Sequence, residues 1–205
     1  HISFINPNDA PVPLFYWTNT AVPEEGNPRV FSCSDQVIVQ HEGPNPADNY
    51  FLHAAMPDLY RDGTDHSHPA LLPHAEEYFF QNPVGMSYQA TAYEDGRLFL
   101  DRSTGGLPYR KMFCWGSHRA GRNWQRQLCP MGGAYLEVQA GTARSQLHGA
   151  TLAPKQALHI TQLFSAARMD DPGGDYAEAG RRVRAVVDRV LPESPAPMPG
   201  KILKV

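Results

Sequence analysis

Residues 135–139, Tyr135-Leu136-Glu137-Val138-Gln139, carry the pattern from which the fold class follows. Successive side chains of a β-strand point to opposite faces, so Leu136 and Val138 share one face. Tyr135, Glu137 and Gln139 share the other face, where an aromatic ring, a carboxylate and an amide stand roughly 7 Å apart. We therefore predict a strand whose sheet has one core face and one polar face.

This polar face has two interpretations. An aromatic ring can stack on the C–H face of a sugar while an amide and a carboxylate meet its hydroxyl groups, which makes Tyr135, Glu137 and Gln139 candidate carbohydrate ligands. The alternative is a strand with ordinary polar residues that face solvent. The pattern alone leaves both interpretations open.

The composition favours an all-β domain of one core. The chain has 205 residues with 19 Pro and 17 Gly, and such frequent turn residues suit many short strands. A net charge of -3 offers no basic surface for nucleic acid. We find neither an apolar run long enough to span a membrane nor a signal peptide, so we expect no membrane partner and a cytoplasmic location.

Strand patterns extend over residues 1–175, which we predict to form a single β-sandwich domain. Residues 44–75 lack periodicity and are predicted as a long loop that covers one face of the sheet. Residues 176–191 have one apolar stripe and are predicted as the single clear helix, with Asp175 as its N-cap. Residues 192–205 are predicted as a Pro-rich linker. Strands are predicted at residues 13–18, 36–41, 87–93, 97–101, 111–115, 135–139 and 158–164.

The densest group of ligand-type side chains follows the predicted strand at residues 111–115. Trp115, His118 and Arg122 would enter a turn there, and ring, imidazole and guanidinium groups suit a polyhydroxylated ligand. The alternative is that the tryptophan belongs to the core and the arginine is solvated. Asn19 and Arg29 are further candidate sugar contacts, although each type is more often structural when taken alone.

Metal and cofactor chemistry is not indicated. Asp65, His66, His68 and His74 lie in a Pro-rich segment without the spacing of a closed ligand set, so we predict no metal site. The three cysteines contain no C-x-x-C pair, which argues against a Cys-rich zinc site and a disulfide framework. No cofactor motif is found.

Three ordered runs resemble the bacterial domain-of-unknown-function family 5107: residues 11–24 (PVPLFYWTNTAVPE), 111–116 (KMFCWG) and 134–141 (AYLEVQAG). The resemblance spans residues 2–164. Members of that family are often followed by tetratricopeptide repeats, and the family is similar in architecture to galactose mutarotases. The resemblance implies a partial galactose-mutarotase-like β-supersandwich, with its N-terminal part missing, a sugar cleft on its concave face and helical repeats after the linker.

The same resemblance implies roles for individual residues. In galactose mutarotases a Leu-Glu-Thr-Gln strand carries the catalytic glutamate, and residues 136–139 (LEVQ) match it, so Glu137 is implied as the general base. Mutarotases have Thr-Asn-His where this chain has Thr18-Asn19-Thr20, so the acid histidine is missing. His118 is our candidate substitute.

The sequence therefore supports three hypotheses. The first is an enzyme that acts on a sugar at or near the anomeric carbon, as a mutarotase or a glycosidase does. The second is a non-catalytic carbohydrate-binding module attached to a repeat protein, and the third is a structural domain. A second titratable group beside Glu137, with His118, Glu42 and Asp101 as candidates, would favour the enzyme. The predicted site comprises catalytic Glu137 and His118, with Asn19, Arg29, Trp115, Arg122, Tyr135 and Gln139 as substrate contacts.

Overall fold

The computed structural model describes residues 1–41, 45–83, 85–170 and 173–191. Glu42 and the predicted linker at residues 192–205 lie outside this description. The described helices are α1 (Arg119–Leu128) and α2 (Tyr176–Val190), with short 3-10 turns at Pro46–Asp48 and Pro69–Leu71. The described strands are β1 (Ile2–Ile5), β2 (Val12–Leu14), β3 (Trp17–Pro23), β4 (Arg29–Ser32), β5 (Gln36–His41), β6 (Tyr50–Ala55), β7 (Glu76–Phe80), β8 (Tyr88–Ala92), β9 (Arg97–Ser103), β10 (Tyr109–Cys114), β11 (Tyr135–Gly141), β12 (Ala150–Leu152), β13 (Ala157–Ile160) and β14 (Gln162–Arg168).

Two antiparallel sheets form the sandwich. One has six strands in the order β3-β11-β10-β7-β5-β6, and the other has four strands in the order β14-β9-β8-β4. Val22 and Val138 of the larger sheet share one hydrophobic core with Val30 of the smaller sheet, and Phe99 packs against it. β1 pairs with β13 and β2 with β12 in two small ladders. The predicted all-β sandwich is confirmed.

Helix α2 covers the face of the four-stranded sheet that points away from the larger sheet. Its apolar stripe packs there against residues such as Phe31, Ala90 and Leu100. Asp175 caps the helix, because its Oδ1 accepts a hydrogen bond from the Glu178 amide. The predicted C-terminal helix and its cap are therefore confirmed. Neither described helix is long and apolar enough to cross a membrane.

A buried ion pair joins the two sheets. Arg110 of β10 and Asp101 of β9 are each at most 1% exposed, and Arg110 Nη1 donates to Asp101 Oδ2 at 2.8 Å. Three more bonds from the guanidinium reach Ser87 Oγ (2.9 Å), Ser87 O (2.7 Å) and Ser103 Oγ (2.6 Å). Gln162 Nε2 donates to both Asp101 carboxylate oxygens. Because the partners are satisfied on all sides, the charges can remain buried.

Residues 117–122 were predicted as a turn, and this prediction is wrong because α1 begins at Arg119. The buried positions of α1 are Gly121 and Gln125, so its inner face has no apolar stripe that a periodicity search would find. Position 121 requires glycine because there is no space for a side chain, and not because of its backbone dihedral angles. A Cβ atom there would lie 2.0 Å from the Trp115 carbonyl oxygen.

Residues 44–75 were predicted as one long loop, yet they contain β6. This strand pairs with β5 at the edge of the six-stranded sheet, and its Leu52 and Ala54 pack against the main core. The prediction failed because Asp and Pro residues dominate the segment on either side of these six positions, although none lies within them. A six-residue strand within such a segment gives a weak periodic signal.

We predict that Arg110→Met destabilises the protein by about 3–5 kcal/mol, because Asp101 would be left buried without its counter-ion. The measurement is the free energy of unfolding in urea. Arg97→Met is the matched control, since Arg97 pairs with Asp95 at the surface and both side chains are about half exposed. Equal stability of the two variants would contradict a structural role for the buried pair.

Candidate functional site

The polar face of β11 lies on the outer side of the six-stranded sheet. Leu136 and Val138 are at most 1% exposed and belong to the core between the sheets. Tyr135 and Glu137 are half-buried and point the opposite way, together with Gln139. The alternation predicted for this strand is therefore confirmed, and Glu137 is available on a surface rather than within the core.

Two amides hold one oxygen of the Glu137 carboxylate. Asn19 Nδ2 donates to Glu137 Oε2 at 2.7 Å from the neighbouring strand β3, where Asn19 stands opposite Gln139. Gln139 Nε2 donates to the same oxygen at 3.0 Å. Within the described part of the chain, Glu137 Oε1 has no hydrogen-bond partner. The side chain is thus oriented through Oε2, while Oε1 can accept a proton from a ligand hydroxyl.

A cleft of about 660 Å³ opens beside this carboxylate. Asn19, Tyr135 and Glu137 line it, and Glu25 lies on its rim near Gly133. The remaining walls come from β3, which is the edge strand of the sheet, and from the C-terminal end of α1. The volume falls within the range of pockets that hold small ligands.

Aromatic rings continue the face toward the end of β10. The Trp115 ring is edge-on to Phe113, with centroids 4.8 Å apart, and lies 6.2 Å from the Tyr135 ring. Burial raises the pKa of the Tyr135 hydroxyl. The buried Trp115 Nε1 approaches that hydroxyl without reaching good hydrogen-bond geometry. These rings offer flat apolar surface of the kind on which sugar C–H groups stack.

Trp17 adds a further ring to the same face. Its strand neighbour is Gly141, and a Cβ atom on that glycine would lie 2.3 Å from the indole ring. The ring therefore lies flat across the glycine, and it meets Phe79 edge-on with centroids 5.8 Å apart. Sequence reasoning did not select Trp17, although the aromatic residue in the run at residues 11–24 was the available signal.

A buried lysine lies on this face two strands from Asn19. Lys111 of β10 stands opposite Gln139 and is 4% exposed. Its Nζ lies 2.7 Å from Glu77 Oε2 and donates to Gln146 Oε1 at 2.6 Å. Gln146 Nε2 in turn donates to Gln139 Oε1 at 2.8 Å. Sequence reasoning missed Lys111, Glu77 and Gln146, because their proximity depends on strand register.

Two predicted site residues lie at the start of α1. His118 precedes the helix, is exposed, and packs its ring 4.3 Å from that of His74. Arg122 forms an ion pair with Glu24 and donates to Gln125 Oε1 at 2.8 Å. Neither His118 nor Arg122 has a contact with Glu137 among the described residues. Arg122 instead ties α1 to the segment that follows β3.

Two other candidates belong elsewhere in the sandwich. Arg29 of β4 lies over the Tyr176 ring at the start of α2. It donates to Ser67 Oγ (2.9 Å), Gly174 O (2.8 Å) and Asp65 Oδ2 (3.1 Å). The structure does not bring it to the face of Glu137. Asp101, considered as a titratable neighbour of Glu137, lies between the sheets with its carboxylate fully engaged.

The histidines of residues 65–74 are occupied by protein contacts. His66 Nδ1 is 3.0 Å from Thr64 O, and His68 Nδ1 is 3.2 Å from Asn27 Oδ1. Burial lowers the pKa of His68. Within the described residues, no three His, Cys, Asp or Glu side chains come together as a metal site.

No model of a known protein family matches the chain, and no curated protein matches it. Solved structures do. A TPR-domain-containing protein from Parabacteroides distasonis ATCC 8503 has a TM-score of 0.59 at 16% identity, over 84% of this chain and 28% of that one. A galactose mutarotase-like protein from Clostridium acetobutylicum gives 0.50 at 12% identity, over 82% of this chain and 51% of that one. A candidate aldose 1-epimerase from Escherichia coli K12 gives 0.55 at 14% identity, over 82% and 55%.

These similarities show a shared fold. The chain has the galactose-mutarotase-like β-sandwich that was predicted, and it spans between 28% and 55% of the proteins it matches. Identities of 12–16% are too low to transfer an activity or a ligand. The finer resemblance to family 5107 stays a prediction.

We predict opposite outcomes for neighbouring positions of β11. Leu136→Ala should lower the free energy of unfolding by about 2–5 kcal/mol, because it opens a cavity in the shared core. Glu137→Gln keeps the side-chain shape on the outer face and should change stability by about 0.5 kcal/mol or less. Urea unfolding of both variants is the measurement. Loss of folding in Glu137→Gln with a stable Leu136→Ala would contradict the assigned strand phase.

Proposed function

We propose that this domain binds a sugar on the outer face of the six-stranded sheet and that Glu137 is the carboxylate that acts on it. The observation that carries the proposal is that the two oxygens of the Glu137 carboxylate differ in their hydrogen bonding. Oε2 accepts hydrogen bonds from Asn19 and Gln139, whereas Oε1 has no partner in the described residues, and Glu137 is one of the residues that line the cleft. A carboxylate held in this way is oriented before a ligand arrives.

The proposed chemistry takes place at or near the anomeric carbon. Glu137 Oε1 accepts the proton of the anomeric hydroxyl as a general base, while an acid must protonate the ring oxygen for the ring to open. Asn19, Tyr135 and Trp115 are the proposed sugar contacts, with the amide for hydroxyl groups and the rings for C–H faces. The buried Gln139 amide is engaged by Glu137 and Gln146, so its proposed role is to orient the carboxylate. A mutarotase fits this scheme with His118 as the proposed acid, whereas in a glycosidase Glu137 Oε1 would instead accept a proton from the attacking water and the acid would protonate the leaving oxygen.

Arg29 and Arg122 are left out of the proposed sugar contacts. Their guanidinium groups pair with Asp65 and Glu24 respectively. Recruiting either to a ligand would leave a carboxylate without its counter-ion, which costs free energy in partly buried surroundings.

A non-catalytic carbohydrate-binding module is the second candidate. It is favoured by one observation: neither His118 nor Asp101 contacts Glu137, so among the described residues neither of these candidates stands beside the base as an acid partner. The fold similarity to a TPR-domain-containing protein supports helical repeats as the attached partner. In this case Glu137 and the rings would hold the sugar without changing it.

Substitution of Glu137 tests both candidates. With an aldose as substrate, Glu137→Gln should slow anomer interconversion about 10²- to 10⁴-fold, measured by polarimetry, because the general base is lost. Sugar binding, measured by calorimetry, should weaken by about 1–3 kcal/mol because a charge-assisted hydrogen bond is removed. Glu178→Gln makes the same chemical change on α2, away from the sheet face, and is the control.

The two measurements separate the candidates. Binding that depends on Glu137, without any acceleration of anomer exchange and without hydrolysis of any oligosaccharide in the panel, would support the binding module and exclude the enzyme. If no sugar in a panel of aldoses and oligosaccharides binds to the wild-type protein, the proposed function is wrong.

A further inference from the structure

A single line of hydrogen bonds crosses the outer face from one carboxylate to the other. It runs from Glu77 to Lys111 (2.7 Å), then to Gln146 (2.6 Å), Gln139 (2.8 Å) and Glu137 (3.0 Å). The four links involve three strands, β7, β10 and β11, and the segment between β11 and β12. Glu137 is therefore connected to a buried cation on the neighbouring strand.

The cation determines which way both amides point. An ammonium group has only donors, so Gln146 must offer it Oε1, and the Gln146 amide nitrogen then faces Gln139. Gln139 accepts that bond through Oε1, which leaves its own nitrogen to donate to Glu137. Reversal of either amide would place oxygen against oxygen. The donor that Glu137 receives is thus selected by Lys111.

Neutralisation of Lys111 does not require this line. Glu77 already supplies a counter-ion at 2.7 Å, and the rings of Phe79 and Phe113 lie 5.2 Å and 5.6 Å from Nζ. These contacts satisfy a buried ammonium by charge and by cation–π attraction. Gln146 adds the link from the ammonium to Gln139 and Glu137, and it comes from a connecting segment rather than from the sheet.

We propose that Lys111 and Gln146 are positioning residues for Glu137. Through Gln139 they hold Oε2 in place and leave Oε1 for a ligand in the cleft that Glu137 lines. The inference rests on the proposed function for its effect on sugar affinity. The arrangement of the amides can be tested without a sugar.

The decisive variant is Gln146→Glu. Its carboxylate still accepts from Lys111 but cannot donate to Gln139, so the Gln139 amide should turn away from Glu137 toward the new acceptor. If Gln146 served only as an acceptor for Lys111, the Gln146→Glu substitution would leave the Gln139 amide and the sugar affinity unchanged. Gln146→Leu removes both contacts, and Leu147→Ala is the matched control because Leu147 is exposed in the same segment.

Two measurements follow for each variant. The first is the NMR spectrum of the Gln139 side-chain amide, whose two protons should be well separated and slow to exchange in the wild type and in Leu147→Ala. In Gln146→Leu they should approach free-amide positions and exchange faster, and in Gln146→Glu their positions should shift because the amide exchanges Glu137 for the new carboxylate. The second is the affinity for the sugar found to bind the wild type. It should fall about 5- to 10-fold in both Gln146 variants, as expected for one lost hydrogen bond.

The outcomes distinguish the two proposals. An unchanged Gln139 spectrum and unchanged affinity in Gln146→Glu would overturn the positioning role, even if Gln146→Leu fails to fold. A changed Gln139 spectrum in a protein that binds no sugar would support the hydrogen-bonded line and overturn the proposed function instead.

Discussion

Arg110 and Asp101 form the ion pair on which the relation of the two sheets depends, because each charge is buried and is compensated by the other. Hydrophobic contacts between sheets are tolerant of sliding, whereas hydrogen bonds of a guanidinium group have fixed directions. Gln89 of β8 adds a second polar link by donating to the Lys111 carbonyl oxygen at 3.1 Å. Together these bonds fix how β8 and β9 lie beneath β10.

This constraint extends to the outer face because consecutive residues of a strand point in opposite directions. Arg110 points inward and holds the sandwich, and Lys111 points outward toward Gln146 and Glu77. A shift of β10 by one residue would exchange the two faces, burying Lys111 between the sheets. The register that the buried pair enforces is thus the register that places an ammonium group two amides away from Glu137.

The sequence was sufficient where a pattern is local. The alternation of Leu136 and Val138 predicted the strand phase and the exposure of Glu137, and an apolar stripe with Asp175 predicted α2. It was insufficient for α1, whose buried positions are a glycine and a glutamine rather than apolar residues. The edge strand β6 was hidden within a segment of loop-like composition.

Contacts between residues distant in the sequence were harder to predict than the strands and helices. Residue type alone made Arg29 and Arg122 reasonable candidates for sugar contacts. Their actual partners, Asp65 and Glu24, are brought to them only by the folding of the chain. Lys111 and Glu77 were missed for the same reason, since a cross-strand pair is defined by register.

The position of the tryptophans gives this face an optical property. Trp17 and Trp115 lie on the side of Glu137, and the third, Trp124, is 52% exposed on α1. The two less exposed indoles therefore both lie on the sheet face that carries Glu137. The intrinsic tryptophan fluorescence of the protein should therefore change when a ligand occupies that surface, so that binding can be followed without an attached dye.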